Sequence, residues 1–386
     1  MSRVAFVLNP VLVRDRGKLI RRCTAAAVAA RLEPSFVDTA AADGRTGAVR
    51  DAVAGGAGLV VALGGDGTVR SCAEALAHPR GEDTGPGLDR RRQDTAPGPD
   101  ARRRQDTGAG QDRERQDTAP GQDAARSEDT GRRQDTGRRQ DTESGQDTGR
   151  HQDVAGSCGQ RTPVPLGIVP LGTANLTARA LGLPSRVDAA LAVALGGADR
   201  RIDLASAGGM TFAAMAGIGL DALVVGSTSH LLKRRLGWPA YALAGAYRLP
   251  GRRSAFTVLL DQHELGGQAE RLEFRARSVV VGNCGLLPGG FVLLPDANLD
   301  DGLLDLGILA PATPAGWARV AARVLTRGRA DDPALIRRPA CQLEVLADED
   351  LPRQVDGELL SPGRSLVVSI RPGALIVRVP RLAASG

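Results

Sequence analysis

Aromatic side chains are scarce: six Phe, two Trp and two Tyr in 386 residues. A chain this poor in stacking surfaces is not built to hold single-stranded nucleic acid base by base, and no specific nucleic-acid partner is expected. Histidine is also rare, with four residues, and the five cysteines (Cys23, Cys72, Cys158, Cys284, Cys341) are scattered. No C-x-x-C pair and no histidine at ligand spacing accompanies them, which excludes an ordinary zinc site and points to a reducing compartment. Nor is any apolar run long enough to span a bilayer, and Met1–Leu8 lacks the apolar core and cleavage site of a signal peptide. These absences predict a cytoplasmic protein that touches a membrane, if at all, from the inner face.

The net charge is +6, unevenly spread. Between Gly81 and Gln160 there are 14 Arg and 17 acidic residues, so the remainder holds 36 Lys and Arg against 27 acids. A basic folded part suits nucleotide phosphate or an anionic surface. The 81–160 stretch is almost without apolar residues, and Gln-Asp-Thr recurs in it at Gln93, Gln105, Gln116, Gln134, Gln140 and Gln146. Such a segment buries too little apolar surface to offset its ordering entropy, so it reads as a disordered, low-complexity insertion.

What the chain does have is a corner at Leu59–Thr68. Five apolar residues run into Gly64-Gly65-Asp66-Gly67-Thr68. The run predicts a strand buried on both faces. Glycines after it let the backbone turn sharply and approach a ligand, and a helix from Val69 would aim its free N–H groups at the same point. An Asp inside a phosphate-binding turn repels phosphate unless a cation intervenes, so the corner suggests a nucleotide phosphate with Mg²⁺.

Strand and helix alternate around this corner: strand Val4–Leu8, helix Lys18–Leu32, strand Ser35–Thr39, helix Thr46–Ala54, then the corner. After the insertion come strand Pro165–Val169, a second small-residue turn at Pro170–Asn175, and a helix capped by Ser185. The pattern is α/β, a doubly wound parallel sheet, built from residues 1–80 and 161–200. From Arg201 short apolar runs separated by Gly, Pro and Asp replace it, predicting a β-sandwich over 201–386, with the last residues free to return to the first domain. Two helices interrupt these strands, at His230–Leu249, with Lys233-Arg234-Arg235 and Trp238, and at Pro314–Leu325.

Seven pieces in order resemble the diacylglycerol kinase catalytic family, and within it the soluble bacterial lipid kinases. They are Asn9-Pro10; Gly64–Thr68; Pro170–Asn175 with Ala178-Arg179 and Leu181–Pro184; Gly217–Ala222; Gly237–Tyr241; Pro295-Asp296-Ala297 with Asp300-Asp301-Gly302; and Asp356-Gly357-Glu358. The resemblance covers the chain outside 81–160 and implies a nucleotide domain joined to a β-sandwich. It implies ATP phosphate contacts at Gly64, Gly65, Asp66, Gly67, Thr68, Val69, Arg70 and Ser71, and further nucleotide contacts at Asn9, Thr39, Gly172 and Thr173. Asp66 would meet phosphate through Mg²⁺ or water. Glu358 is similar to the family's proton acceptor, and Asn298, Asp301 and Leu303 fall where the family holds a second, structural Mg²⁺. The segment departs from the family at Val11–Asp15, where Arg14 stands in place of small residues, and at Arg70-Ser71, where Asn-Glu is usual.

The expected function is therefore ATP-dependent phosphorylation of the hydroxyl of diacylglycerol or a related lipid met at a membrane surface, with Asp66 and Glu358 as the catalytic carboxylates. An NAD kinase, which shares the G-G-D-G-T turn, and a non-enzymatic ATP or lipid sensor are the alternatives. The composition leaves a homo-oligomer open. If the 81–160 insertion is a passive loop, its deletion leaves the rate of lipid phosphorylation close to that of the intact chain, measured with the same lipid and ATP.

Overall fold

The protein is described by a computed structural model covering residues 2–13, 15–38, 45–77, 163–220, 222, 253–261, 269–330 and 332–381. The 81–160 insertion, Arg14, Thr39 and the expected 230–249 helix lie outside the described residues.

Four parallel strands open the fold: β1 (Arg3–Leu8), β2 (Glu33–Asp38), β3 (Ala57–Gly64) and β4 (Leu166–Pro170). They lie in the order β2-β1-β3-β4. Because alternate side chains of a strand point to opposite faces, β1 and β3 divide their apolar residues between two cores. Val4, Phe6, Leu8, Val61 and Leu63 pack with Leu19, Cys23 and Ala27 of α1 (Arg16–Ala29) and Ala190, Leu191 and Ala194 of α5 (Val187–Gly196). Ala5, Val7, Val60 and Ala62 pack with Val49 of α2 (Arg45–Ala54) and Val69, Cys72 and Ala73 of α3 (Asp66–Ala77). Helices on both faces make the sheet doubly wound, and this is why β3 is apolar at nearly every position.

Three boundaries differ from the sequence reading. Helix α3 begins at Asp66 instead of Val69, so Asp66, Gly67 and Thr68 form its first turn. Ser185 does not cap α5: Arg186 takes the cap position with no side-chain bond. The apolar runs expected at 341–346, 353–359, 366–370 and 375–379 are not separate strands: β13 (Gln342–Val355) runs through the first break, 353–359 spans its end, the Asp356-Gly357 turn and the start of β14 (Glu358–Val379), and β14 takes in the last two. The expected breaks are register irregularities within long strands, at 346–353 and 371–375, where Pro352 and Pro372 remove ladder donors.

The second part is antiparallel: β5 (Ala198–Ala207), β6 (Met210–Phe212), β7 (Met215–Gly219), β8 (Ser254–Asp261), β9 (Glu270–Ala276), β10 (Ser278–Gly282), β11 (Leu304–Leu309), β12 (Leu335–Ala340), β13 and β14. Phe212, Ile218, Phe256, Val258, Leu260, Val279, Leu306, Leu343 and Val368 fill its interior. Between β11 and β12 runs helix α6 (Pro314–Thr326), capped by Thr313 Oγ1, which accepts from the Gly316 N–H at 3.1 Å. The fold is thus a parallel α/β sheet followed by a β-sandwich. Strand β14 belongs to both: it pairs antiparallel with β13 and β5, then parallel with β4 at Val377 and Leu166.

At the carboxyl ends of β3 and β4 the two small-residue turns touch. The Leu171 N–H donates to the Gly64 carbonyl at 2.8 Å. A Cβ on Gly172 would stand 2.6 Å from Gly65 Cα and 2.8 Å from Asn175 Oδ1, and one on Gly64 would overlap the Thr68 side chain. Gly172→Ala is therefore expected to lower stability by about 1–3 kcal/mol, seen as a reduced midpoint of thermal unfolding without ligand, whereas Gly67→Ala, where a Cβ meets nothing within 4 Å, leaves it nearly unchanged.

Candidate active site

The site is built on the first turn of α3. Asp66 opens the helix, and its Oδ1 accepts the Thr177 N–H at 3.1 Å, at the start of α4 (Leu176–Ala180). One carboxylate therefore satisfies an orphan donor of a neighbouring helix. Burial pushes the Asp66 carboxyl above the usual range, against the opposing pull of the Leu176 and Thr177 N–H groups. Asn175, at φ +46°, ties the second turn: its Oδ1 accepts from the Gly172 N–H (3.0 Å) and its Nδ2 donates to the Gly172 carbonyl (2.7 Å). Gly172 is held in this turn, and Thr173 is exposed beside it.

Of the other expected nucleotide contacts, Thr68, Val69, Arg70 and Ser71 are buried. The Thr68 and Val69 N–H groups both donate to the Gly65 carbonyl, at 2.9 and 3.1 Å. Val69 has its side chain in the core, and the Ser71 hydroxyl donates to the Gly67 carbonyl at 3.0 Å. Thr68 Oγ1 is buried with no partner. Asn9 caps a short turn at Pro10–Leu12, its Oδ1 accepting from the Val11 N–H at 3.1 Å.

The structure also joins two motifs far apart in sequence. Arg70 on α3 is ion-paired through Nη2 with Oε2 of Glu358, the first residue of β14. The guanidinium is nearly buried and the carboxylate is 58% exposed. Arg70 Nη1 lies 3.9 Å from the sulfur of Met210, and Nε is buried with no partner. Sequence reading placed Arg70 only among the phosphate contacts, and nothing local in the sequence signals its pairing across 288 positions.

What sequence reading missed is the part played by Asp356, which it had only as a turn residue before Glu358. Asp356 and Gly357, both with positive φ, make the two-residue turn joining β13 to β14, the preferred Asp-Gly hairpin chemistry. The Asp356 carboxylate is buried and accepts from the N–H groups of Ala213, Ala214 and Met215 at 3.1, 3.1 and 2.9 Å. It thereby fixes the hairpin that carries Glu358. Burial first, and then the charge of Asp66, push this carboxyl up to about 6 despite those three donors.

The residues expected to hold a second cation lie on the 296–303 loop. Asn298 Oδ1 is 3.5 Å from Arg200 Nη2, and the same arginine bonds Asp300 at 2.8 Å. Asp301 Oδ1 accepts the Leu303 N–H at 3.0 Å. Burial raises the Asp301 carboxyl, and Asp203 and Asp300 add to the shift; Asp305 is pushed up to about 6 by burial, with Asp301 and Asp296. This crowding of carboxylates is what a divalent cation relieves, and carboxylate and carbonyl oxygens suit Mg²⁺. Among the described residues no three His, Cys, Asp or Glu side chains converge, so such an ion would rest on Asp301 with the main-chain carbonyls of 298 and 303.

A parallel sheet with glycine turns at its carboxyl edge, tied by one long strand to a β-sandwich that presents a carboxylate, defines a kinase-type architecture. The sequence profile of the diacylglycerol kinase catalytic domain matches residues 3–88 and 149–207, and that of the YegS C-terminal NAD kinase beta sandwich-like domain matches residues 214–379. The chain is 38% identical over 219 residues to a protein named probable lipid kinase YegS-like from Pseudomonas aeruginosa (strain UCBPP-PA14), covering 56% of this chain and 68% of that one. It is 33% identical over 217 residues to probable lipid kinase YegS of Escherichia coli O9:H4 (strain HS), covering 56% and 69%. A solved diacylglycerol kinase structure from Bacillus anthracis str. Sterne superposes with a TM-score of 0.59 at 16% identity, over 98% of this chain and 97% of that one. The chain belongs to the YegS-like lipid kinase family. It is a lipid kinase, and no helix among its described residues is long and apolar enough to cross a membrane.

Since the folded-state value of Asp356 lies above the ordinary ~3.9 of an unfolded Asp, the folded chain binds its proton more tightly. Its contribution to stability is full below pH ~4 and is lost as pH rises through about 6. Denaturant unfolding between those values should show a downward slope with pH that Asp356→Asn reduces by up to ~1.4 kcal/mol per pH unit.

Proposed function

We propose that the chain transfers the terminal phosphoryl group of ATP to the hydroxyl of diacylglycerol or a related lipid, with Glu358 as proton acceptor. The observation that carries this reading is the contact of Glu358 with Arg70. It brings the expected base from β14 to the second turn of the helix whose N-terminus suits phosphate.

In the reaction the acceptor oxygen forms a bond to phosphorus, the bond from phosphorus to the bridging oxygen of the leaving diphosphate breaks, and the hydroxyl proton passes to Glu358. The transition state is loose, so positioning and charge neutralisation do most of the work. Arg70 holds Oε2 of Glu358, leaving Oε1 to orient the acceptor hydroxyl. The buried, unpartnered Arg70 Nε and Thr68 Oγ1 are donors that a phosphate oxygen would satisfy. Asp66 is held by the start of α4 on one side and, with Mg²⁺ bound, would face the nucleotide phosphates on the other. When bound, Mg²⁺ supplies neutralisation of the phosphate charge. Leu359, next to Glu358, is 51% exposed, which suits an acceptor with an apolar tail.

Glu358→Gln is expected to reduce transfer of labelled phosphate to lipid by about 10²–10⁴-fold while ATP still binds. Asp66→Asn should reduce transfer as strongly and weaken the Mg²⁺ dependence. The products from a mixed lipid extract, resolved by mass, identify the acceptor. Undiminished transfer by Glu358→Gln would overturn the assignment of the base, and phosphorylation of NAD in place of any lipid would overturn the acceptor class.

A further inference from the structure

A concave feature beside the 296–303 loop shares Asn298 with the expected cation residues, but its arginines take no part in the chemistry above. A recess of ≈ 540 Å³ opens among the end of α4, the 284–299 loop and the end of α6. Four guanidinium groups line it: Arg179, Arg200, Arg327 and Arg329. Two are answered by carboxylates, Arg200 by Asp300 at 2.8 Å and Arg329 by Asp296 at 3.0 Å. The guanidinium groups of Arg179 and Arg327 have no hydrogen-bond or ion-pair partner among the described residues. The rim thus carries more positive charge than its own carboxylates neutralise, on a concave surface where like charges do not gather without an anion to share.

The position of Arg327 sharpens the point. It ends α6 in the left-handed region, at φ +54°, where glycine or asparagine is the ordinary occupant and another residue costs about 1 kcal/mol. Gly328 follows immediately, so the helix could have stopped on glycine one residue later. Beside the arginines the lining includes partly exposed apolar residues, Leu286, Val292, Pro295 and Ala297, which form an apolar wall on that side. A free inorganic anion needs guanidinium donors and no such wall. Arginines beside such a wall fit a phosphate group carried on an apolar stem, which guanidinium binds in a forked, two-bond geometry.

We propose that this recess binds the phosphate group of an anionic lipid, held by Arg179 and Arg327, and so docks the protein on an anionic bilayer at a place distinct from the acceptor hydroxyl at Glu358. The binding needs neither ATP nor turnover, so it stands or falls apart from the kinase mechanism.

The test is cosedimentation of the full chain, without nucleotide, with vesicles of phosphatidylcholine alone and of phosphatidylcholine containing phosphatidate. Wild type should bind the second and not the first. The double variant Arg179→Gln/Arg327→Asn removes two exposed charges, and asparagine tolerates the backbone at 327. An unchanged thermal midpoint shows that it folds. It should bind phosphatidate vesicles on the order of tenfold more weakly. A control of equal charge, Arg271→Gln/Arg364→Gln, removes two exposed arginines that pair with Glu273 and Asp350 away from the recess, and should bind as wild type does. Equal loss in the control would reduce the effect to diffuse attraction and overturn the site. Wild-type binding to pure phosphatidylcholine at the same strength would overturn the need for an anion. Displacement of the vesicles by inorganic phosphate at the concentration of lipid phosphate, with the same dependence on Arg179 and Arg327, would make the free ion the ligand and overturn the lipid assignment.

Discussion

Everything at the catalytic end of this protein depends on two glycine turns lying backbone against backbone. Gly65 and Gly172 leave no room for a Cβ between them, and the Leu171 N–H to Gly64 carbonyl bond closes the contact. The closeness has a consequence beyond packing. It puts the start of α4 within reach of Asp66, so the carboxylate that opens one helix satisfies the orphan N–H of another. Two helix N-termini thereby share one region, and their partial positive charges add there. A single methyl group at Gly172 would move α4 relative to α3 and separate them.

The second dependence is on strand β14. This 22-residue strand starts at Glu358 in the sandwich and passes, at Val377, beside β4 of the parallel sheet. Its near end is pinned twice: by Asp356, which accepts three main-chain N–H groups from 213–215, and by the Arg70–Glu358 pair. Its far end is fixed by the ladder with β5. Glu358 therefore reaches α3 on an element anchored at both ends, as the proton-acceptor role proposed for it would require.

Much of this was legible in the sequence, and the rest was hidden for identifiable reasons. The corner at 59–68 could be read because its chemistry is local: a strand buried on both faces must be apolar throughout, and a tight turn must be glycine. The change at residue 200 could be read because the period of the apolar residues changes there. The continuity of β13 and β14 could not, because Pro352 and Pro372 look like strand ends and are in fact accommodated at register irregularities. Strand β12 escaped because Leu-Ile-Arg-Arg-Pro-Ala shows no alternation. Asp356 was seen only as half of a turn, since its three donors come from residues about 140 positions away. The pairing of Arg70 with Glu358 was beyond reach for the same reason, although both residues stood out singly.

That pairing also explains how an arginine is tolerated at position 70. A guanidinium this buried requires a compensating charge, and Glu358 provides it through one oxygen while remaining half exposed through the rest of its side chain. Its Nε remains unanswered, and a buried unsatisfied donor costs ~1–3 kcal/mol. On the other side of the corner, Asp66 and Asp356 are two buried carboxylates, each raised by burial, and the charge of Asp66 raises Asp356 further. The corner thus holds an unsatisfied donor and excess buried carboxylate charge at once, so neither a lone anion nor a lone cation completes it. A phosphate oxygen for Arg70 together with a divalent ion for the carboxylates answers both, and this is the combination that a nucleotide with Mg²⁺ brings. Under the proposed mechanism Arg70 would not replace the metal: it would serve the anion and the base, and a cation would serve the carboxylates.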